Sequence, residues 1–221
     1  THAKTANSSR DFNQRMADFH PRFTSASRHQ FIRLPVTFRS ASRPSTSLVV
    51  PTSEGLWCRE GGFHIDPWTP VARAVVTHAH SDHARRGSKR YLCATTSVGL
   101  MRSRLGQNIN VEGIPYRTPI RLGEVEVSLH PAGHILGSAI IEVWITEHGN
   151  TRKLVFSGDL GQPGRPILRD PTVIEDTDVL LIESTYGDRT HRHPAATDEE
   201  LVGIIDRTVH QQGGNVIVPA F

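Results

Sequence analysis

From Leu48 onward, apolar residues come in short runs separated by polar, glycine-bearing turns, a pattern that predicts many short strands and few helices. Leu48 to Val50, Gly55 to Cys58 and Gly62 to Ile65 predict a meander, with Gly61-Gly62 as one of its turns. Val71 to Thr77 and Lys89 to Ala94 predict buried strands, and Thr96 to Leu105 a short helix closed by Gly106. Glu124 to Leu129 alternates polar and apolar, as a half-buried strand does. Ser138 to Thr146 and Arg152 to Phe156 predict a hairpin, and Val179 to Ile182 a further buried strand. Asp198–Gln212 predicts an amphipathic helix with Leu201, Val202, Ile204, Ile205 and Val209 facing inward, followed by a strand from Asn215 to Ala220. No internal repeat is present.

Residues 1–46 differ. They are rich in Ser, Thr and Arg and show no sustained period of 2 or 3.6, which predicts a disordered tail. They hold 8 Lys/Arg against 2 Asp/Glu, whereas residues 47–221 hold 17 against 20. The net charge of +3 and the pI of 9.2 therefore belong to the tail and do not mark the folded part as basic. The tail also has the composition of an organelle transit peptide and lacks a secretory apolar core. No apolar run approaches the roughly 20 residues of a membrane span. Cys58 and Cys93 sit in strand-like segments and read as buried thiols, too few for a cysteine metal site.

The chemistry concentrates at His78-Ala79-His80-Ser81-Asp82-His83, directly after an apolar run. Three imidazoles and a carboxylate in one loop are ligands that Zn²⁺ accepts, and two neighbouring metals need that many donors at one strand end. The same event recurs: strands end in polar loops at Pro131-Ala132-Gly133-His134, at Ser157-Gly158-Asp159 and at Glu183. A rigid sheet can aim such loops at one point. His64 and His130 lie on strands and read as structural; His148, His191, His193 and His210 read as surface histidines. No Gly-rich phosphate loop or Ser-His-Asp arrangement competes.

Those four loops, in that order, resemble the metallo-β-lactamase superfamily, and within it the nucleic-acid-processing β-CASP branch. His78, His80, Asp82 and His83 match the H-x-H-x-D-H signature, His134 in Pro-Ala-Gly-His-Ile-Leu-Gly-Ser the third histidine motif, and Asp159 in Phe-Ser-Gly-Asp-Leu-Gly the bridging aspartate. Asp66 in Ile-Asp-Pro-Trp is similar to the early aspartate that braces the site, and Glu183 in Glu-Ser-Thr-Tyr-Gly to the acidic motif that opens the β-CASP insertion. Leu48 to Ser138 looks like the exonucleases associated with DNA ligase, and the part from Lys153 like the endonucleases of pre-mRNA 3′-end processing.

The resemblance implies a four-layer αββα metallo-β-lactamase-like sandwich over 47–187, with 188–221 the start of a C-terminally truncated β-CASP cap. It implies two Zn²⁺ per site: His78, His80 and His134 on one, Asp82 and His83 on the other, Asp159 between them, and a bridging hydroxide that hydrolyses phosphodiester bonds in RNA or single-stranded DNA. Asp82 and Glu183 are the implied catalytic residues, Glu183 supporting protonation of the leaving oxygen. The family's later histidines lie beyond Phe221, so this form is expected to be impaired. Partners left open are a second copy and DNA-ligase or RNA-processing proteins; no membrane is implied, and the expected compartment is cytoplasmic. Two other readings stand beside the nuclease: a thioester or lactam metallo-hydrolase, and a non-catalytic nucleic-acid-binding relative.

Overall fold

The computed structural model describes residues 48–147, 149–190 and 194–219; the expected tail and His148, His191 and His193 lie outside them. Eleven strands are described: β1 (Val50–Pro51), β2 (Leu56–Cys58), β3 (Phe63–Ile65), β4 (Ala74–Val75), β5 (Tyr91–Ala94), β6 (Val111–Ile114), β7 (Ile120–Leu122), β8 (Val125–Pro131), β9 (Ala139–Glu147), β10 (Asn150–Phe156) and β11 (Val179–Leu181). The first six form one sheet in sequence order, β1 to β3 antiparallel and β3 to β6 parallel. The second sheet has the order β11-β10-β9-β8-β7, antiparallel except for the β10–β11 pair.

The sheets stack face to face, giving the α/β sandwich that the resemblance implied. Period-two alternation decides which side chains go between them. Val125, Val127 and Leu129 of β8 and Ile141, Val143 and Ile145 of β9 join Phe63, Ile65, Val75 and Leu92 of the first sheet in one core. A second apolar layer covers the outer face of the first sheet, where Met101 and Leu105 of helix α1 (Val98–Leu105) pack on Ala74, Val76, Tyr91 and Cys93. The outer face of the second sheet carries Ala132, Ile140 and Val155, covered by Leu160 and Ile174 from the loop after β10.

Several elements differ from the pattern's prediction. Strands β6 and β7 were not anticipated; Val-Glu-Gly-Ile and Ile-Arg-Leu are too short to carry a period and exist by pairing with β5 and β8. The buried run from Val71 contributes only two ladder residues, since β3 beside it is three residues long. Helix α2 (Pro194–Ile205) begins four residues earlier than expected and passes into a π-type turn over Asp206–Gln211. Leu201, Val202, Ile204, Ile205 and Val209 are exposed rather than inward, and 215–219 of the expected Asn215 to Ala220 strand is not a strand, since among the described residues no strand pairs with it. Among the described residues no helix is long and apolar enough to cross a membrane.

Candidate metal centre

Topology brings the polar loops together. β8 and β10 are both antiparallel to β9, and β11 is parallel to β10, so all three run the same way and end at the same edge. Those ends carry the loops with His134, Asp159 and Glu183. β4 delivers Thr77 to His83 from the other sheet, and a hydrogen bond from Ala139 N–H to the Thr77 carbonyl (2.8 Å) ties the two sheets there. The His134 and Asp159 loops are tied by Gly161 N–H to the Ala132 carbonyl (2.8 Å). That approach needs glycine: a Cβ on Gly161 would lie 1.8 Å from the Gly133 carbonyl oxygen.

Four donor atoms from His78, His80, His134 and Asp159 lie within 4.8 Å of one another. His78 Nε2 is 3.1 Å from His80 Nδ1, which is 3.3 Å from His134 Nε2. Asp159 Oδ2 is 3.6 Å from both His78 Nε2 and His134 Nε2. A tetrahedron with metal–ligand bonds of about 2.0–2.1 Å has edges of about 3.3–3.4 Å, so these separations bracket those of a four-ligand site. The other oxygen of Asp159, Oδ1, is 3.4 Å from His83 Nε2, which is 3.5 Å from Asp82 Oδ2. The two oxygens of one carboxylate thus face two donor sets.

The hydrogen bonds behind the imidazoles fix which nitrogen is bare. The parallel register Ile65↔Val75 places Asp66, at φ 40°, beside Thr77. Asp66 accepts Thr77 N–H (2.8 Å), Thr77 O–H (2.6 Å) and His83 Nδ1–H (2.8 Å). The single hydroxyl proton of Thr77 is committed to that carboxylate, so His78 Nδ1, at 3.1 Å, donates to Thr77 Oγ1. Nε2 of His78 and Nε2 of His83 are therefore lone-pair donors aimed at the two sets. Nothing in the sequence motif announced Thr77; its only signal is its place at the end of the buried run.

Electrostatics favour the same neutral state for His78 and His80, but not for His83. Burial, then the neighbouring His83, His134 and His80, push the His78 pKa down to about 2, which keeps it neutral. Burial and His134 also lower His80. For His83 burial is the largest single influence and acts downward, but the Asp66 hydrogen bond and the charges of Asp66, Asp159 and Asp82 together raise its pKa. Burial raises Asp159, with Glu183 and Asp82 adding to the effect and His83 and His134 opposing it. Three ring nitrogens 3.1 and 3.3 Å apart, that of His78 bare, together with the Asp159 carboxylate form a donor set of divalent-metal type.

Glu183 sits behind this cluster. Its Oε1 accepts Leu160 N–H (2.6 Å) and its own N–H donates to Ser157 Oγ (3.0 Å), so it clasps both sides of Gly158-Asp159. Asp82 is the exposed member of the site. His64 stacks on Trp57 at 4.6 Å between ring centroids, and His130 Nε2 contacts Glu142 at 2.7 Å, each on its strand and outside the donor cluster. His210 is exposed.

No family model matches the chain. Curated relatives do. Ribonuclease TTHA0252 of Thermus thermophilus is 34% identical over 185 residues, covering 72% of this chain and 42% of that protein. An RNase J-like protein of Methanocaldococcus jannaschii is 31% identical over 175 residues, covering 68% of this chain and 40% of the relative. The likeness to these ribonucleases supports the β-CASP branch of the metallo-β-lactamase superfamily that the motifs resemble. A probable DNA ligase of Opitutus terrae is also similar, 34% identical over 140 residues, covering 62% of this chain and 13% of the ligase. The chain spans less than half the length of each of these relatives. The RNA-cleaving side of the resemblance read from the motifs is thus found among them.

Proposed function

We propose that this chain carries a two-zinc phosphodiesterase centre acting on RNA. The observation that carries the reading is the division of Asp159: Oδ2 faces His78 and His134, and Oδ1 faces His83. His78, His80 and His134 with Asp159 would hold one Zn²⁺, and His83 and Asp82 with Asp159 the second. Bound there, a pair of Zn²⁺ supplies Lewis acidity to a phosphoryl oxygen and hydroxide near neutral pH. Asp66 and Thr77 keep His78 and His83 in the ligating tautomer. Asp82, the exposed carboxylate, would be a ligand of the second ion and would take the proton of the attacking water and return it to the leaving oxygen. Glu183 holds the Asp159 loop by its bond to Leu160 N–H; it is a positioning residue.

A polyanionic substrate is supported by the surroundings. Arg85, Arg86, Arg102 and Arg104 are exposed, Arg104 close enough to lower the His80 pKa, and Arg86 Nη2 donates to the Arg104 carbonyl (2.7 Å). None of the four forms an ion pair with a carboxylate among the described residues, which leaves them available to phosphates. RNA is favoured over DNA by the names of the two relatives that cover most of this chain. Elemental analysis of protein purified without added metal, paired with cleavage assays on single-stranded RNA and DNA of one sequence, tests the reading. Zinc near two per chain with faster RNA cleavage is the expected result. A folded protein that takes up no zinc sinks the proposal; zinc uptake with hydrolysis of thioesters or lactams alone moves the site to small molecules.

A further inference from the structure

Next to the donor cluster, the loop holding residues 133–136 faces the loop holding residues 160–168 across a cavity of about 670 Å³, within the range of small-ligand sites. His134, one of the first donor set, is part of its wall, so whatever fills the cavity lies beside the group held at the metal centre. The rest of the lining is mainly apolar with one ring and one cation. Leu136, Ile167 and Tyr186 are each more than half exposed, and Arg165 is steered by a hydrogen bond to Gln162 Oε1 (2.7 Å). Apolar side chains so exposed beside a polar metal centre call for a ligand that is flat and apolar on its faces and anionic at one end. A nucleotide has that form: its base stacks on an aromatic ring whatever its identity, and its phosphate suits a guanidinium.

We propose that this cavity is the base subsite of the RNA substrate. The nucleobase next to the scissile phosphate stacks on Tyr186 between Leu136 and Ile167, and Arg165 meets a neighbouring phosphate. This rests on the phosphodiesterase reading and deepens it. Stacking reads no hydrogen-bond edge, so the subsite gives affinity for single strands without sequence preference. A base already paired and stacked in a duplex cannot enter it.

The test is a cycle between substrate and protein. Hexauridylate and a hexamer of the same backbone without bases are given to the zinc-loaded chain and to its Tyr186→Ala/Ile167→Ala variant, with zinc content measured alongside. For the wild type, removal of the bases should raise KM about tenfold, the size of one base–aromatic stack. In the variant the two hexamers should become equivalent. An equal KM loss on both hexamers, or no loss on either, overturns the subsite. If the double variant fails to hold zinc, Ile167→Ala alone replaces it, since that side chain is 91% exposed. If the wild type cleaves neither hexamer, the phosphodiesterase reading falls, and the same cycle read by fluorescence anisotropy of labelled hexamers decides the subsite separately.

Discussion

Asp66→Asn isolates the hydrogen bonds that prepare the metal centre. Asparagine has almost the same shape and, like aspartate, tolerates the positive φ of 40° at this position, so the backbone gives little reason for change. What changes is acceptor capacity. The carboxylate accepts three bonds, two of them on Oδ2, from Thr77 O–H and His83 Nδ1–H. If the amide oxygen takes the place of Oδ1, its NH₂ faces the Thr77 hydroxyl and His83 Nδ1. The hydroxyl can turn and accept, but His83 must shift its proton to Nε2, the atom that faces Asp82 and Asp159. If the amide turns over, its NH₂ meets the buried Thr77 N–H instead. Either way about two charge-assisted bonds are lost and one weaker bond is regained, for a net cost of about 2–4 kcal/mol. Loss of such supporting partners also weakens metal binding by about 10–100-fold. The second donor set, which depends on His83 Nε2, should suffer first. Zinc stoichiometry during dialysis against buffered free zinc, with urea unfolding of the metal-free protein, measures both effects. The expected result is a stoichiometry falling from two toward one together with a lower urea midpoint. A variant that keeps both metals at wild-type affinity and unfolds at the wild-type midpoint would refute the argument that Asp66 sets the His83 tautomer.

Three further outcomes are expected. Gly161→Ala forces a Cβ against the Gly133 carbonyl and should part the His134 and Asp159 loops, costing about 3 kcal/mol and lowering zinc content; unchanged zinc and melting temperature would show that the close approach is not required. Glu183→Gln keeps an oxygen for Leu160 N–H and should retain zinc and most cleavage, whereas Glu183→Ala strands that N–H at a cost of about 1–3 kcal/mol; zinc-loaded Glu183→Gln that has lost cleavage would instead make Glu183 a proton donor. Burial raises the thiols of Cys58 to about 11 and Cys93 to about 12, so neither should react with Ellman's reagent until the chain unfolds. Because the folded values lie above the ordinary thiol value of 9.0, this contribution to stability is complete below pH 9 and is lost as pH rises through about 11–12; a flat urea midpoint from pH 8 to 11 would contradict it.

Local chemistry was legible in the chain itself. Alternation from Glu124 to Leu129 placed Val125, Val127 and Leu129 in the core because a strand's side chains switch faces at every residue. The motif His78 to His83 identified a metal-type loop because those donors are neighbours along the chain, and Gly106 closed its helix as read, at φ 120°. Strands β6 and β7 were not legible, since three or four residues carry no period and their pairing partners lie elsewhere in sequence. The exposed side of α2 was not legible either: Leu201, Val202, Ile204 and Ile205 have the spacing of a buried stripe, but spacing cannot say whether anything packs on it.

What the sequence by itself determined is the set of donors and the strand ends that bear them; residue type and short-range pattern are properties of neighbours along the chain. What the tertiary structure decided is their division. That Asp159 turns one oxygen to His78 and His134 and the other to His83 follows from the common direction of β8, β10 and β11 and from the bond joining Thr77 to Ala139 across the two sheets. That Asp66 and Thr77 choose the ligating nitrogen follows from the parallel register of β3 and β4, which brings residues eleven positions apart within hydrogen-bond reach. Distances between side chains far apart in sequence exist only after the strands have paired, so no reading of the chain alone could supply them.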